Sequence, residues 1–162
     1  MSWYRCGSAA AGPYVNKRGV SGSPASAVYK RCFRGGGSAL VYVFEFRDHV
    51  LGVWGEEERT GKPVGADIRR KKNSYPVVYA KETAQQRDVK RLTEIYEKDS
   101  VDDADVVTVL DVMERANVKW HAQNNAAGYA EAALDSISHV ELSTQSRQEI
   151  EDLTHFLLVR DR

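Results

Sequence analysis

Cysteine is nearly missing from this chain. Cys6 and Cys32 are the only two in 162 residues, too few and too unpatterned for a disulfide framework or a zinc site, which would need paired Cys-x-x-Cys runs or added histidines at ligand spacing. Reduced thiols in a cytoplasm are the expectation. No run approaches the roughly 18 apolar residues needed to cross a bilayer, so no membrane span is expected. The start of the chain also lacks the apolar centre of a secretory signal, because residues 3–11 are interrupted by Arg5 and by small or polar residues. Net charge is absent as well: lysine plus arginine equals aspartate plus glutamate at 23 each. No global field therefore recruits nucleic acid, and any charge-driven function must come from local clustering. There is no internal repeat, no low-complexity tract and no nucleophile-and-base constellation.

What is present suits one domain with a respectable core. Residues 1–38 hold seven of the 12 glycines with scattered cations and no lasting apolar period, so they are expected to be irregular and to end at Gly35-Gly36-Gly37-Ser38. From residue 39 the alphabet changes. Leu40, Phe44, Val50, Leu51 and Trp54 recur near helical spacing, although the β-branched and aromatic run 41–46 would also suit a strand.

Pro63 and Pro76 bracket a loop, and Pro76 fits the first turn of the next helix, where its missing N–H costs nothing. Residues 77–84 continue into 87–98, with Val89, Leu92 and Tyr96 as the expected inward stripe. Asp102 or Asp103 caps a helix bearing Val106, Val109, Leu110 and Met113 on one side. Ala126, Ala127, Ala130, Ala133, Leu134 and Ile137 form a small-residue face that lets a neighbour approach closely. Ser146 followed by Glu149 reads as a capping box ahead of Ile150, Leu153, Phe156 and Leu157. With no strand signal after residue 55, the pattern predicts an all-α bundle.

The only strong charge cluster lies in the loop. Between residues 61 and 76 five cations (Lys62, Arg69, Arg70, Lys71, Lys72) surround Asp67, two glycines and two prolines, which suits an anion. The bland alternative is a solvated basic turn or a localisation patch; without interleaved stacking aromatics, a nucleic-acid role is not expected. Just upstream, Phe44-Glu45-Phe46-Arg47-Asp48-His49 carries acidic residues toward the same loop. Asp102, Asp103 and Asp105 read as a helix cap, and His121, His139 and His155 as surface residues without ligand spacing.

Two segments carry a resemblance. The run Phe44-Glu45-Phe46-Arg47-Asp48-His49-Val50-Leu51-Gly52, followed by Gly61-Lys62-Pro63-Val64-Gly65-Ala66-Asp67-Ile68-Arg69-Arg70-Lys71-Lys72-Asn73-Ser74-Tyr75-Pro76, resembles the second aspartate-rich region and following loop of the trans isoprenyl diphosphate synthases, the polyprenyl synthetase family. The loop half is intact and the aspartate-rich half is degraded. The resemblance implies helix for 39–54, a partial isoprenoid-synthase helical bundle with an irregular N-terminal segment, and a division into a non-homologous 1–38 and a synthase-like C-terminal half over 39–162.

It also implies a chemistry: head-to-tail condensation of isopentenyl diphosphate with an allylic diphosphate, with Mg2+ held by carboxylates on facing helices. By resemblance Lys62 and Lys72 contact diphosphate, Asp67 supports the loop, and Asp48 is the remaining magnesium ligand. Glu45 stands where the family has glutamine, His49 replaces an aspartate with a poor magnesium ligand, and Gly52 replaces the last aspartate, as it does in some family members. The first aspartate-rich motif is not found. The expectation is a truncated or degenerate synthase, inactive as this chain alone, that binds an allylic diphosphate or pyrophosphate. It would be a homodimer, or the non-catalytic partner of a full-length synthase.

Overall fold

The computed structural model describes residues 24–161; the part of the expected irregular segment that precedes them lies outside the described residues. Among the described residues the elements are α1 (Pro24–Trp54), α2 (Glu57–Thr60), α3 (Ala66–Arg69), α4 (Tyr75–Thr83), α5 (Gln86–Glu97), α6 (Asp103–Arg115), α7 (Val118–Ile137) and α8 (Thr144–Val159), with no strand.

At about 1.5 Å per residue, α1 is an axis roughly 46 Å long. It begins at Pro24 and not at residue 39, so the run Gly35-Gly36-Gly37-Ser38 is not an element boundary. Glycine in a helix interior costs about 1 kcal/mol relative to alanine, and close packing offsets that cost here. A Cβ on Gly36 would stand 2.7 Å from Ser136 Oγ and 3.3 Å from the Ala133 carbonyl, so the glycine lets α1 settle onto α7. Of the expected face of α7, Ala126, Ala130, Ala133 and Ile137 are buried and Ala127 and Leu134 only partly so, and the buried row extends back to Ala122.

The main core gathers where the shorter helices meet the end of α1. Val53, Ile68, Val77, Leu92, Val109, Met113 and Val118 pack together out of solvent. Each such side chain contributes on the order of 1.5–3 kcal/mol of apolar burial. The expected continuous helix through residues 77–98 is instead α4 and α5, separated at Ala84 and Gln85. The break redirects the chain so that Leu92 and Ile95 enter the core, with Val89 and Tyr96 partly covered.

The α6 cap is as expected. Asp105 N–H donates to Asp102 Oδ1 at 2.8 Å, and Asp102 N–H donates to Asp105 Oδ2 at 3.3 Å. Lys98 Nζ donates to both Asp105 oxygens at 2.6 and 2.8 Å. The Lys98 hydrogen bond, aided by the Asp102 amide and working against burial, holds the Asp105 carboxyl below its ordinary 3.8. A depressed carboxylate adds stability above its unfolded value and loses it as pH falls through the lower folded value. Asp105→Asn is expected to destabilise the chain at pH 7 and to flatten the acid unfolding curve below pH 3.8; an unchanged acid flank would contradict this.

Helix α8 departs from expectation twice. Its cap is Ser143, whose Oγ accepts from Ser146 N–H at 3.1 Å, so Ser146 and Glu149 are inside the helix. The helix starts earlier because α7 ends at Ile137 and the short connection is pinned by Val140, which is buried against Cys32 and Ile137. The inward stripe rotates with it: Thr154 is buried and Ile150 partly so, whereas Leu153 and Phe156 are 47% and 62% exposed.

Candidate functional site

The loop between α2 and α4 owes its shape to backbone positions that side chains disfavour. Gly61 (φ 67°) closes α2 and Gly65 (φ 75°) opens α3, both in the left-handed region that glycine enters freely. At Gly65 a Cβ would also lie 2.5 Å from Val106. The Gly65 N–H donates to the Val53 carbonyl at 3.0 Å, tying the loop to the end of α1. Ile68, fully buried, anchors it to the core. Lys71 then takes φ 51°, at a cost of roughly 1–2 kcal/mol for a residue with a side chain. Lys72 N–H bonds the Asp67 carbonyl at 2.9 Å.

These constraints turn Lys72 back over α1. Its ammonium lies 3.1 Å from Asp67 Oδ2 and 3.6 Å from Asp48 Oδ2. Asp67 is buried, and its Oδ2 has no aligned hydrogen bond. Burial opposes the charge on Lys72, but the close contact with the Asp67 carboxylate, with help from Asp48, holds its pKa above the ordinary lysine value. Gly52 makes the arrangement fit. A Cβ there would stand 2.5 Å from Asp67 Cγ and 3.0 Å from Oδ1, so the buried carboxylate lies against bare helix backbone.

The remaining sequence candidates divide. His49 is half-buried with Nδ1 unpartnered. Burial and then the Lys72 charge, outweighing Glu45, Asp48 and Asp67, push its pKa below the ordinary 6.5, so it is neutral at pH 7. Glu45 is exposed on α1. Lys62 is exposed, and its local bonds are backbone contacts with Thr60, whose hydroxyl donates to the Lys62 carbonyl at 3.1 Å; its ammonium pairs with neither Asp48 nor Asp67. His139 and His155 are exposed, but His121 is half-buried between Tyr79 and Trp120.

Arg160, just past α8, is the site residue that the sequence did not signal. Its guanidinium lies over the Phe44 ring at 4.0 Å, with Nη2 3.9 Å from Asp48 Oδ1. It comes from the far end of the chain with no local motif, so only the fold could reveal it.

Among the described residues no three His, Cys, Asp or Glu side chains gather to hold a metal ion. Asp48 and Asp67 have a lysine ammonium between them, so the donor set does not fit a divalent cation. The group is suited to exchanging Lys72 from carboxylate to an arriving oxyanion, with exposed loop cations nearby.

A family model for polyprenyl synthetase matches residues 19–113, and the chain belongs to that family. The geranylfarnesyl diphosphate synthase of Aeropyrum pernix is 32% identical over 118 residues, covering 72% of this chain and 36% of that protein. The structure of geranylgeranyl pyrophosphate synthetase from Pyrococcus horikoshii superposes with a TM-score of 0.75 at 26% identity, covering 83% of this chain and 40% of that one. The Corynebacterium glutamicum geranylgeranyl pyrophosphate synthase, solved with isoprenyl diphosphate and magnesium, gives 0.74 at 21% identity, covering 86% and 39%. The all-α isoprenoid-synthase fold is therefore shared, and the chain spans about two-fifths or less of the length of these relatives. No helix among the described residues is long and apolar enough to cross a membrane.

Proposed function

We propose that this chain is the diphosphate-facing part of an isoprenyl diphosphate synthase fold. It binds the diphosphate group of an allylic isoprenoid, or free pyrophosphate, through Lys72 with help from Lys62, and does not by itself condense isoprenoid units. The observation that carries this reading is the half-exposed Lys72 ammonium, held between Asp48 and the buried Asp67. Ion pairs this exposed contribute about 0–1 kcal/mol, so a multiply charged anion can draw Lys72 away from Asp48. Isoprenyl diphosphate, bound in the Corynebacterium glutamicum relative, supplies the chemistry.

Condensation requires stabilising the charge that develops on the departing diphosphate. One half-neutralised aspartate does not supply the carboxylate pairs that the family uses. Purified chain given allylic and isopentenyl diphosphates with magnesium should release no pyrophosphate. Pyrophosphate at 100 times its Kd should raise the Tm by roughly 5–10 °C, in EDTA and in magnesium alike. Turnover would overturn the first expectation, and an unmoved Tm the second.

A second reading is favoured by one face of α1. Phe33, Val41 and Phe44, spaced so as to share that face, are 45%, 58% and 42% exposed. In this reading the chain is a non-catalytic helical partner of a full-length synthase. Co-elution of the two at micromolar concentration supports it, and separate elution counts against it.

A further inference from the structure

The C-terminal end of α1 carries a second cationic hollow that the loop does not use. Arg47, Leu51 and Trp54 recur at i, i+4 and i+7 and share a face, turned about 100° from the face of Asp48. With α2 and α7 they border a cavity of about 270 Å³ that also takes in Arg59, Lys119 and Gln123. A water occupies about 30 Å³ of liquid, so the cavity has room for a phosphate with several waters.

The charges around it are unbalanced. Arg47 is partly buried; among the described residues its Nε has no partner, and its Nη2 donates to the Arg160 carbonyl at 2.5 Å. Burial first, and then the nearby Arg160 charge, lower its pKa, with Asp161 only partly offsetting them. Lys119 lies over the Trp54 ring at 6.0 Å and pairs with no carboxylate among the described residues. Arg59 reaches Glu56 at 3.3 Å and Asp161 at 2.6 Å. Three cations thus face two carboxylates, and one of these, Asp161, is carried in by the segment that follows α8. A partly desolvated guanidinium whose acceptor among the described residues is a neutral carbonyl is short of an anion.

We infer that this cavity is a second anion site, separate from the Asp48–Lys72 group, which takes a phosphate-sized oxyanion on Arg47, Arg59 and Lys119. Asp161 is the internal carboxylate that holds the mouth of the site until such an anion arrives. Because Arg160 precedes it and lies beside Asp48, displacing Asp161 also frees the strap that leads to the first site.

The test is a titration of inorganic phosphate into the full chain, followed by nitrogen-proton NMR of the Trp54 indole and the Gln123 side-chain amide. These signals are expected to shift in the unmodified chain. In Asp161→Asn the affinity read from them should rise about two- to fivefold, the range for removing an exposed competing ion pair. Arg47→Gln should abolish the shifts, Arg47→Lys should weaken them, and Lys72→Ala should leave them intact. Unmoved signals in the unmodified chain would overturn the inference, as would an affinity unchanged by Asp161→Asn. Loss of the shifts in Lys72→Ala would place the phosphate on the loop instead.

Discussion

Placing an aspartate at position 52, where the family pattern has aspartate or glycine, is expected to damage the protein. Gly52→Asp places a Cβ within 2.5 Å of Asp67 Cγ, forcing a buried side chain to move at an overpacking cost of about 1–3 kcal/mol. It also brings a second carboxylate against one that shares its partner Lys72 with Asp48, adding about 1–3 kcal/mol for an inadequately solvated polar group. Gly52→Ala isolates the steric part. In an open helix interior that change gains close to 1 kcal/mol, and Gly37→Ala on the same helix, with nothing within 4 Å of the added Cβ, should show that gain. Denaturant midpoints for the three variants should therefore order as Gly37→Ala above the unmodified chain, then Gly52→Ala, then Gly52→Asp. A Gly52→Ala as stable as Gly37→Ala would contradict the close approach of Asp67.

The second large effect is expected at Ile68. This residue is fully buried on a helix of only four residues, so the loop has little intrinsic helical stability and depends on that side chain for its position. Ile68→Ala removes buried methyl groups and leaves a cavity, costing about 2–5 kcal/mol. Because Asp67 and Lys72 are placed by the same turn, the variant should lose pyrophosphate affinity even where it remains folded. Ile68→Val, with about 0.5–1.5 kcal/mol of loss, should keep most of that affinity. If Ile68→Ala binds as the unmodified chain does, the loop is positioned by something other than the core.

Local patterns conveyed the helices and the loop well, since each rests on nearby residues. Pro76 stands in the first turn of α4, Asp102 caps α6 with Asp105, and Ala126, Ala130 and Ala133 of α7 turn inward. What depends on distant partners was hidden. Glycines 35–37 look like a break until Ser136 and the Ala133 carbonyl are seen beside Gly36, and Leu153 and Phe156 look internal until the α8 start is fixed at Ser143. In the candidate site the sequence nominated Asp48, Asp67 and Lys72, which do meet. It also nominated Lys62, whose ammonium stays apart, and it gave no sign that Gly52 clears space for Asp67 or that Arg160 reaches Asp48.

The central claim is that Lys72 exchanges its carboxylate partners for a diphosphate. Carbon NMR of the Asp48 and Asp67 side-chain carboxylates during a pyrophosphate titration reads this directly. Both signals should move together in the unmodified chain and stay still in Lys72→Ala. Carboxylates that do not respond while the chain binds pyrophosphate would contradict the account, as would an unchanged response in Lys72→Ala.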